Sequence, residues 1–326
     1  MVAGHVVGST SSQGLAVDED SAWRYGYRIL EDLRMPLFSV LSGFVYAYRP
    51  ITQSARYVSF VKGKARRLLV PLITVGAAFT IVQTLTPAAN SKGQLSDVWK
   101  VYVFGYGHFW FLQSIFLVFL VVGLLNSLKL LSTIRTWIVA LSASSALYIL
   151  VIIPNDLDFF SVSGALRLLP FFILGYGLHV FTTRIQLVPI LIGLFVPLFI
   201  FRLLTIYEIF EIDVAPERAL RLAVGLCITS ILVLCRRRLA FVPLARIGYF
   251  AFGIYLLHVF GSASTRIAMS KIGFENDGVI FVACLVVALA LPVAFEVTLG
   301  RISWVSWTFL GQKPYRSMRK LAGTQP

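Results

Sequence analysis

Long apolar runs separated by short polar ones organise this chain. After an apolar fragment at 1–8 come runs at about 35–48, 68–86, 109–125, 136–153, 168–182, 185–204, 219–235, 240–262 and 278–299. Runs of this length read as helices that cross a hydrocarbon core about 30 Å thick. The expected fold is all-α: a polytopic transmembrane helix bundle with nine full spans plus a truncated first helix. The whole chain, 1–326, reads as a single membrane-embedded domain, with 301–326 a short basic tail. The fragment at 1–8 is too short to span and lacks the basic head and long apolar core of a signal peptide. It reads as the second half of a helix, and the reading frame is expected to extend upstream by about 10 to 20 residues, enough to complete a span, with an Arg or Lys among them.

The run Arg34-Met35-Pro36-Leu37-Phe38-Ser39-Val40-Leu41-Ser42-Gly43-Phe44 differs from the others. It is headed by a charge, broken early by proline and thinned by Ser39, Ser42 and Gly43, small residues that let a neighbouring helix come close. Only 14 uncharged residues separate Arg34 from Arg49, short of the roughly 20 that a lipid-facing span needs. The helix is therefore expected to tilt, to extend past its flanking charges, or to be sheltered by others, as an inner helix lining a site.

Composition agrees with the pattern: 58% of 326 residues are apolar, 13% are charged, and mean hydropathy is +0.82. These values exclude an ordinary soluble domain. The formal charge of +14 raises nucleic acid as a partner, but its distribution is that of a membrane protein. Taken alternately, the gaps at 49–67, 126–135, 183–184, 236–246 and 301–326 hold 18 of the 29 Lys and Arg and no acid. The intervening gaps hold the other 11 and 14 of the 15 acids, the last being Glu296 inside the final span. By the positive-inside rule the basic set, including the C-terminus, is cytoplasmic, and the cell membrane is the expected location. The three cysteines Cys227, Cys235 and Cys284 lie in apolar runs with no metal or disulfide spacing.

Few residues are left to carry chemistry. His5 reads either as a helix-end histidine bonded to a loop or as a membrane-embedded base, since an imidazole with an ordinary pKa near about 6.5 accepts a proton from an alcohol. His108 and Trp110 head a span and fit an interfacial aromatic belt or a binding mouth. His179 reads as an interface histidine without a role. Arg167, followed by Pro170, aromatics and Gly175, repeats the grammar of Arg34. Both arginines either set topology or bind an anionic or polyhydroxyl acceptor. Tyr255 and His258 share a helix face at i, i+3. Lys64, Arg66 and Arg67 form a cation cluster abutting a helix. It either sets topology or meets phosphate oxygens. Glu296, a lone acid in a span, needs a partner.

Five segments, 2–8 with His5, 34–44, 64–71, 108–112 and 255–258, resemble in order the acyltransferase-3 family of integral membrane acyltransferases. The likeness is greatest to the branch of stand-alone sugar O-acetylases of the fucose 4-O-acetylase kind. The stretch 167–176 is a weaker sixth. The resemblance implies ten helices in the complete fold and transfer of an acyl group, usually acetyl, from cytoplasmic acyl-CoA to a hydroxyl of a glycan or lipid-linked saccharide. Acyl-CoA would be a co-substrate, with no permanently bound cofactor and no metal. His5 matches the family's essential histidine, as base or as acyl carrier, and Tyr255 and His258 would orient it or act as oxyanion donors. Lys64 and Arg67 match a basic pair that is Arg and Arg in the family, so the first position keeps its charge but loses bidentate phosphate binding. With Arg66 they would meet acyl-CoA. Arg34, His108, Trp110 and Arg167 would face the acceptor. The family arginine about three turns before the histidine would fall before Met1. A glycolipid or acyl-group transporter without transferase chemistry is the alternative, although no two-fold internal repeat is visible.

The expected topology has a direct check. Single cysteines introduced at Ser11 and Gln312 label from opposite sides of intact cells with an impermeant thiol reagent. Labelling from one side alone would mean that the helices are miscounted.

Overall fold

Every apolar run read from the sequence but one, at 240–262, forms a single helix in the computed structural model, which describes residues 1–90, 94–181 and 185–313. In chain order the helices are α1 (Val2–Val7), α2 (Ala22–Ile29), α3 (Glu31–Tyr46), α4 (Tyr57–Leu85), α5 (Lys100–Val103), α6 (Trp110–Ser127) and α7 (Ile134–Leu150). They continue as α8 (Val162–Val180), α9 (Val188–Ile206), α10 (Val214–Leu234), α11 (Val242–Tyr249), α12 (Ala251–Lys271), α13 (Asp277–Thr298) and α14 (Ser303–Leu310). Among the described residues there is no strand, only a single antiparallel bridge between Phe104 and Phe159. The chain is an all-helical, multi-pass membrane protein.

Length and composition support fewer spans than the nine expected. Among the described residues α4, α6, α8, α9 and α13 are long and apolar enough to cross, and the bent pair α11–α12 makes a sixth. α3 and α7 are shorter, and α10 carries Glu217, Arg218 and Arg221. The run at 240–262 is not one helix: the chain turns by 79° at Phe250, leaving α11 with no buried residue. α4 starts well before position 68, at Tyr57, and runs on through Gly63 and Pro71. Lys64, Arg66 and Arg67 therefore ride on the helix itself. The stretch from Arg301 also begins differently from a free tail. α14 folds back on α4, burying Val305 and Leu310, with Thr74 donating to the Thr308 carbonyl at 2.6 Å and Arg67 to that of Leu310 at 2.6 Å. The rest of the expected tail, 314–326, lies outside the described residues. Gln312 bonds Ser306 at 2.8 Å and Glu296 at 3.4 Å, so exposed Lys313 is the better position for the labelling cysteine.

Burial divides the helices into inner and outer. About two thirds of α6 and half of α8 are buried, against 11% of α9 and 17% of α13. The outer faces of α9 and α13 expose Ile190, Leu194, Ile200, Val282 and Val286, as a lipid-facing surface requires. α3 is inner, as its small residues imply. It begins at Glu31, past its flanking charge, and buries Pro36, Ser39, Val40 and Gly43 against α8. A Cβ on Gly43 would run into the Phe172 backbone, and one on Gly175 into that of Val40. Ser39 donates across the pair to the Leu168 carbonyl at 2.8 Å. Ser42 takes no part in this contact and bonds back to Phe38 within its own helix.

The backbone contact predicts the effect of one methyl group. Gly175→Ala should destabilise the protein in detergent by about 1–3 kcal/mol, as overpacking does. Gly193→Ala, with open space around it, should leave the melting temperature unchanged. Equal melting temperatures for the two variants would show that α3 and α8 do not touch in this way.

Candidate active site

Three helices bring three of the four histidines together. His5 stands on α1, His108 just before α6, and His258 in the middle of α12. The His5 ring lies 4.9 Å from that of His258 and 6.0 Å from that of His108, centroid to centroid, and His108 is 5.1 Å from His258. His108 and His258 are buried, and His5 is half-buried. The three do not form a metal-holding arrangement, and no such group occurs among the described residues.

A cavity of about 220 Å³ opens beside this cluster. His5, Arg34, His108, Trp110, Arg167 and Tyr255 line it, all singled out from the sequence. Met1, Tyr27, Glu31 and Met35 complete the lining and were not. Local sequence explains several of these positions. Gly4 has no side chain because the Arg34 guanidinium occupies the space of a Cβ, and Gly164 is bare because the Trp110 ring lies over it. Arg34 stacks on Tyr27, 4.0 Å from the ring centroid. Below Trp110, Ser161 donates to Gln113 at 2.6 Å and Gln113 to the Val101 carbonyl at 3.1 Å, fixing the mouth of α6.

The hydrogen bonds of Tyr255 and His258 limit what they do. Tyr255 donates its hydroxyl proton to the His108 carbonyl through a short bond. His258 Nδ1 faces the carbonyls of Ile254 and Tyr255, each at 2.9 Å. Both protons are engaged by backbone, so neither side chain has one free for an oxyanion. His258 also does not line the cavity; it lies behind His5.

The acids that open α3, Glu31 and Asp32, form the feature sequence reasoning missed. Glu31 bonds Arg221 at 2.6 Å and lies 3.5 Å from Arg167. Buried Asp32 bonds Arg221 at 2.7 Å and Arg202 at 2.8 Å, and Arg202 reaches Glu217 at 3.3 Å. Arg202 and Arg221 sit at the edges of apolar runs, where an unpaired charge is costly. That cost was the available signal that acids elsewhere must reach them. Arg24 is likewise fully buried, tying the loop after α1 through the carbonyls of Gly8 and Val17 and the carboxylate of Glu19.

The remaining residues singled out lie elsewhere. Lys64 packs over the Phe119 ring at 3.5 Å, and Arg67 over Phe252 at 4.2 Å. Arg66 has a buried guanidinium nitrogen, Nη1, with no partner among the described residues. Along α4, Arg67 is twelve residues from Phe79, which touches His108, about 18 Å at 1.5 Å per residue. Glu296 finds its partner in Gln312, with Arg67 in electrostatic reach. His179 packs on Tyr48 and Phe44. Cys227 and Cys284 are buried, Cys235 is half-buried, and none lines the cavity.

A family model described as an acyltransferase domain matches residues 1–297. Comparison with curated proteins and with solved structures gives no match.

Removing the Asp32 carboxylate leaves Arg202 and Arg221 without their shared buried partner. Asp32→Ala should cost about 3–5 kcal/mol, as breaking a buried pair does, read as a fall in melting temperature. Asp97→Ala, whose ion pair with Lys100 is exposed on both sides, should cost under about 1 kcal/mol. Similar melting temperatures for the two would remove the network from any structural role.

Proposed function

The chain belongs to the acyltransferase-3 family and is a membrane acyltransferase, and from that premise we propose that it moves an acyl group, acetyl above all, from cytoplasmic acyl-CoA to a hydroxyl of a cell-envelope or exported saccharide. Family membership sets aside a carrier without transferase chemistry. The observation that carries the reading is the cavity: the candidate base His5, two guanidinium groups, an indole and two phenol rings all face one space of small-molecule size. An indole and charged groups around one cavity suit a sugar, whose ring stacks and whose hydroxyls bond.

In this reading His5 takes the hydroxyl proton as the acceptor oxygen attacks the thioester carbonyl. The C–S bond breaks, an ester forms, and the proton passes to the departing thiolate, so that CoA leaves as the thiol. Arg34 is the cation nearest the developing oxyanion. Among the described residues it pairs with no carboxylate, which supports that role. Lys64, Arg66 and Arg67 meet the phosphates of the donor; the unpartnered Arg66 nitrogen supports this. The segregation of charge between alternate loops supports a cytoplasmic donor side and a cytoplasmic C-terminus in the cell membrane.

A thiolate is the better intrinsic nucleophile, so a cysteine acyl-enzyme is the rival to exclude. All three cysteines stand apart from the cavity. Membranes given labelled acetyl-CoA and a saccharide acceptor test the difference at matched expression. His5→Ala should lose about 10²–10⁴-fold or more in transfer, while the triple Cys→Ser variant stays active. An active His5→Ala enzyme, or a folded but dead cysteine-free one, would end this mechanism.

A further inference from the structure

The three imidazoles are not equivalent, and their hydrogen bonds say which proton each one carries. A carbonyl oxygen only accepts, so His258 Nδ1, facing two carbonyls, must bear the hydrogen. A neutral ring has one such proton. His258 Nε2 is therefore a bare lone pair, and it is buried with no partner. The same argument applied to His108, whose Nε2 faces the Leu256 carbonyl at 3.3 Å, puts its proton there and leaves Nδ1 as a lone pair. His108 thus has no N–H to offer His258. His5 makes no hydrogen bond to the described residues, so its proton alone in the cluster is not already held by backbone.

We propose that His258 is a positioning residue that accepts a hydrogen bond from His5 at Nε2, turning the other nitrogen of His5 to the cavity as a bare lone pair. The inference rests on His5 as the base. The rings are 4.9 Å apart between centroids and tilted by 54°. The distance fits an N–H···N contact after a rotation about the soft terminal torsion of His5. No atom of the acceptor competes for that lone pair, because His258 is fully buried and off the cavity. When His5 has taken the acceptor's proton it carries two N–H groups, one toward the cavity and one toward His258. The same lone pair then stabilises the imidazolium. A carboxylate does this work in the serine-protease triad. Here a neutral imidazole does it, and no negative charge is buried in the membrane.

Two amide variants separate this role from packing. In His258→Gln the side-chain oxygen reaches the place of Nε2 and again offers an acceptor. In His258→Asn the shorter amide reaches only the place of Nδ1, and the acceptor is lost. Transfer from labelled acyl-CoA by full-length protein in membranes should fall about 10²-fold or more in kcat for Asn, with KM for acyl-CoA unchanged. It should stay within about tenfold of wild type for Gln, the loss tracking the orienting bond. Equal activity of two folded variants, whether both high or both low, would overturn the proposal. The tautomer decides it independently of folding. Nitrogen-15 shifts of the four histidines in labelled wild-type protein should show His258 protonated at Nδ1, and protonation at Nε2 would overturn it as well. Failure of the base itself shows separately, as an active His5→Ala enzyme.

Discussion

The backbone contact between α3 and α8 is the constraint on which the site depends. Helices in a membrane gain little from burying apolar area against each other, so close van der Waals packing and bonds between helices must hold them. Gly43 and Gly175 supply the packing and Ser39 a bond, to the Leu168 carbonyl. The contact brings the first turns of both helices to one end of the bundle. Arg34 and Arg167 lie in the first two turns of those helices and share the cavity for that reason. A bulkier residue at either glycine would separate the helices and the two arginines with them.

Charge at this end is arranged with similar economy. Arg167, Arg202 and Arg221 share Glu31, Asp32 and Glu217, three cations with three anions, in a network at the edge of the bundle. Arg34 stands outside that balance, held by the face of Tyr27 and by the space that Gly4 leaves. Each guanidinium of that network has its counter-charge in contact. Arg34 touches no carboxylate among the described residues, and Glu31 of the same cavity is only in electrostatic reach of it. A ligand with partial or full negative charge therefore meets a guanidinium that no carboxylate occupies.

Much of this was legible in the sequence, and the exceptions have physical causes. Helix positions followed from apolar runs, and the inner place of α3 from Ser39 and Gly43. His5, Arg34, His108, Trp110, Arg167 and Tyr255 were each ambiguous alone, because a polar residue at a helix end looks the same whether it faces lipid headgroups or a cavity. The structure brings them to one cavity. The bend in the run at 240–262 was not legible, because an apolar run does not say whether it turns, as the chain does at Phe250. Tyr27, Glu31 and Asp32 were invisible as site or network residues. The partners of Glu31 and Asp32 come from α8, α9 and α10, up to 190 positions away, and no local pattern encodes such a pairing. His258 was found, but its place behind His5 rather than on the cavity depends on the pitch of α12 against α1, which a sequence does not specify.

The choice of imidazoles fits the reaction proposed for this site. Transfer from a thioester to an alcohol consumes no net proton: one leaves the hydroxyl and one ends on the thiol. A base that is neutral at rest, holds that proton briefly and returns it needs no permanent charge among apolar helices. Carboxylates are present nearby, but Glu31 and Asp32 are both claimed by arginines. Burial raises the Glu31 carboxyl, but the Arg221 and Arg167 cations outweigh it and hold that carboxyl below its usual range, which makes it a weak base. Thiols are present too, yet Cys284 donates to the Ser262 carbonyl and lies off the cavity. The proposed base is accordingly an imidazole, with two further imidazoles whose backbone bonds leave lone pairs, not charges, in the cluster around it.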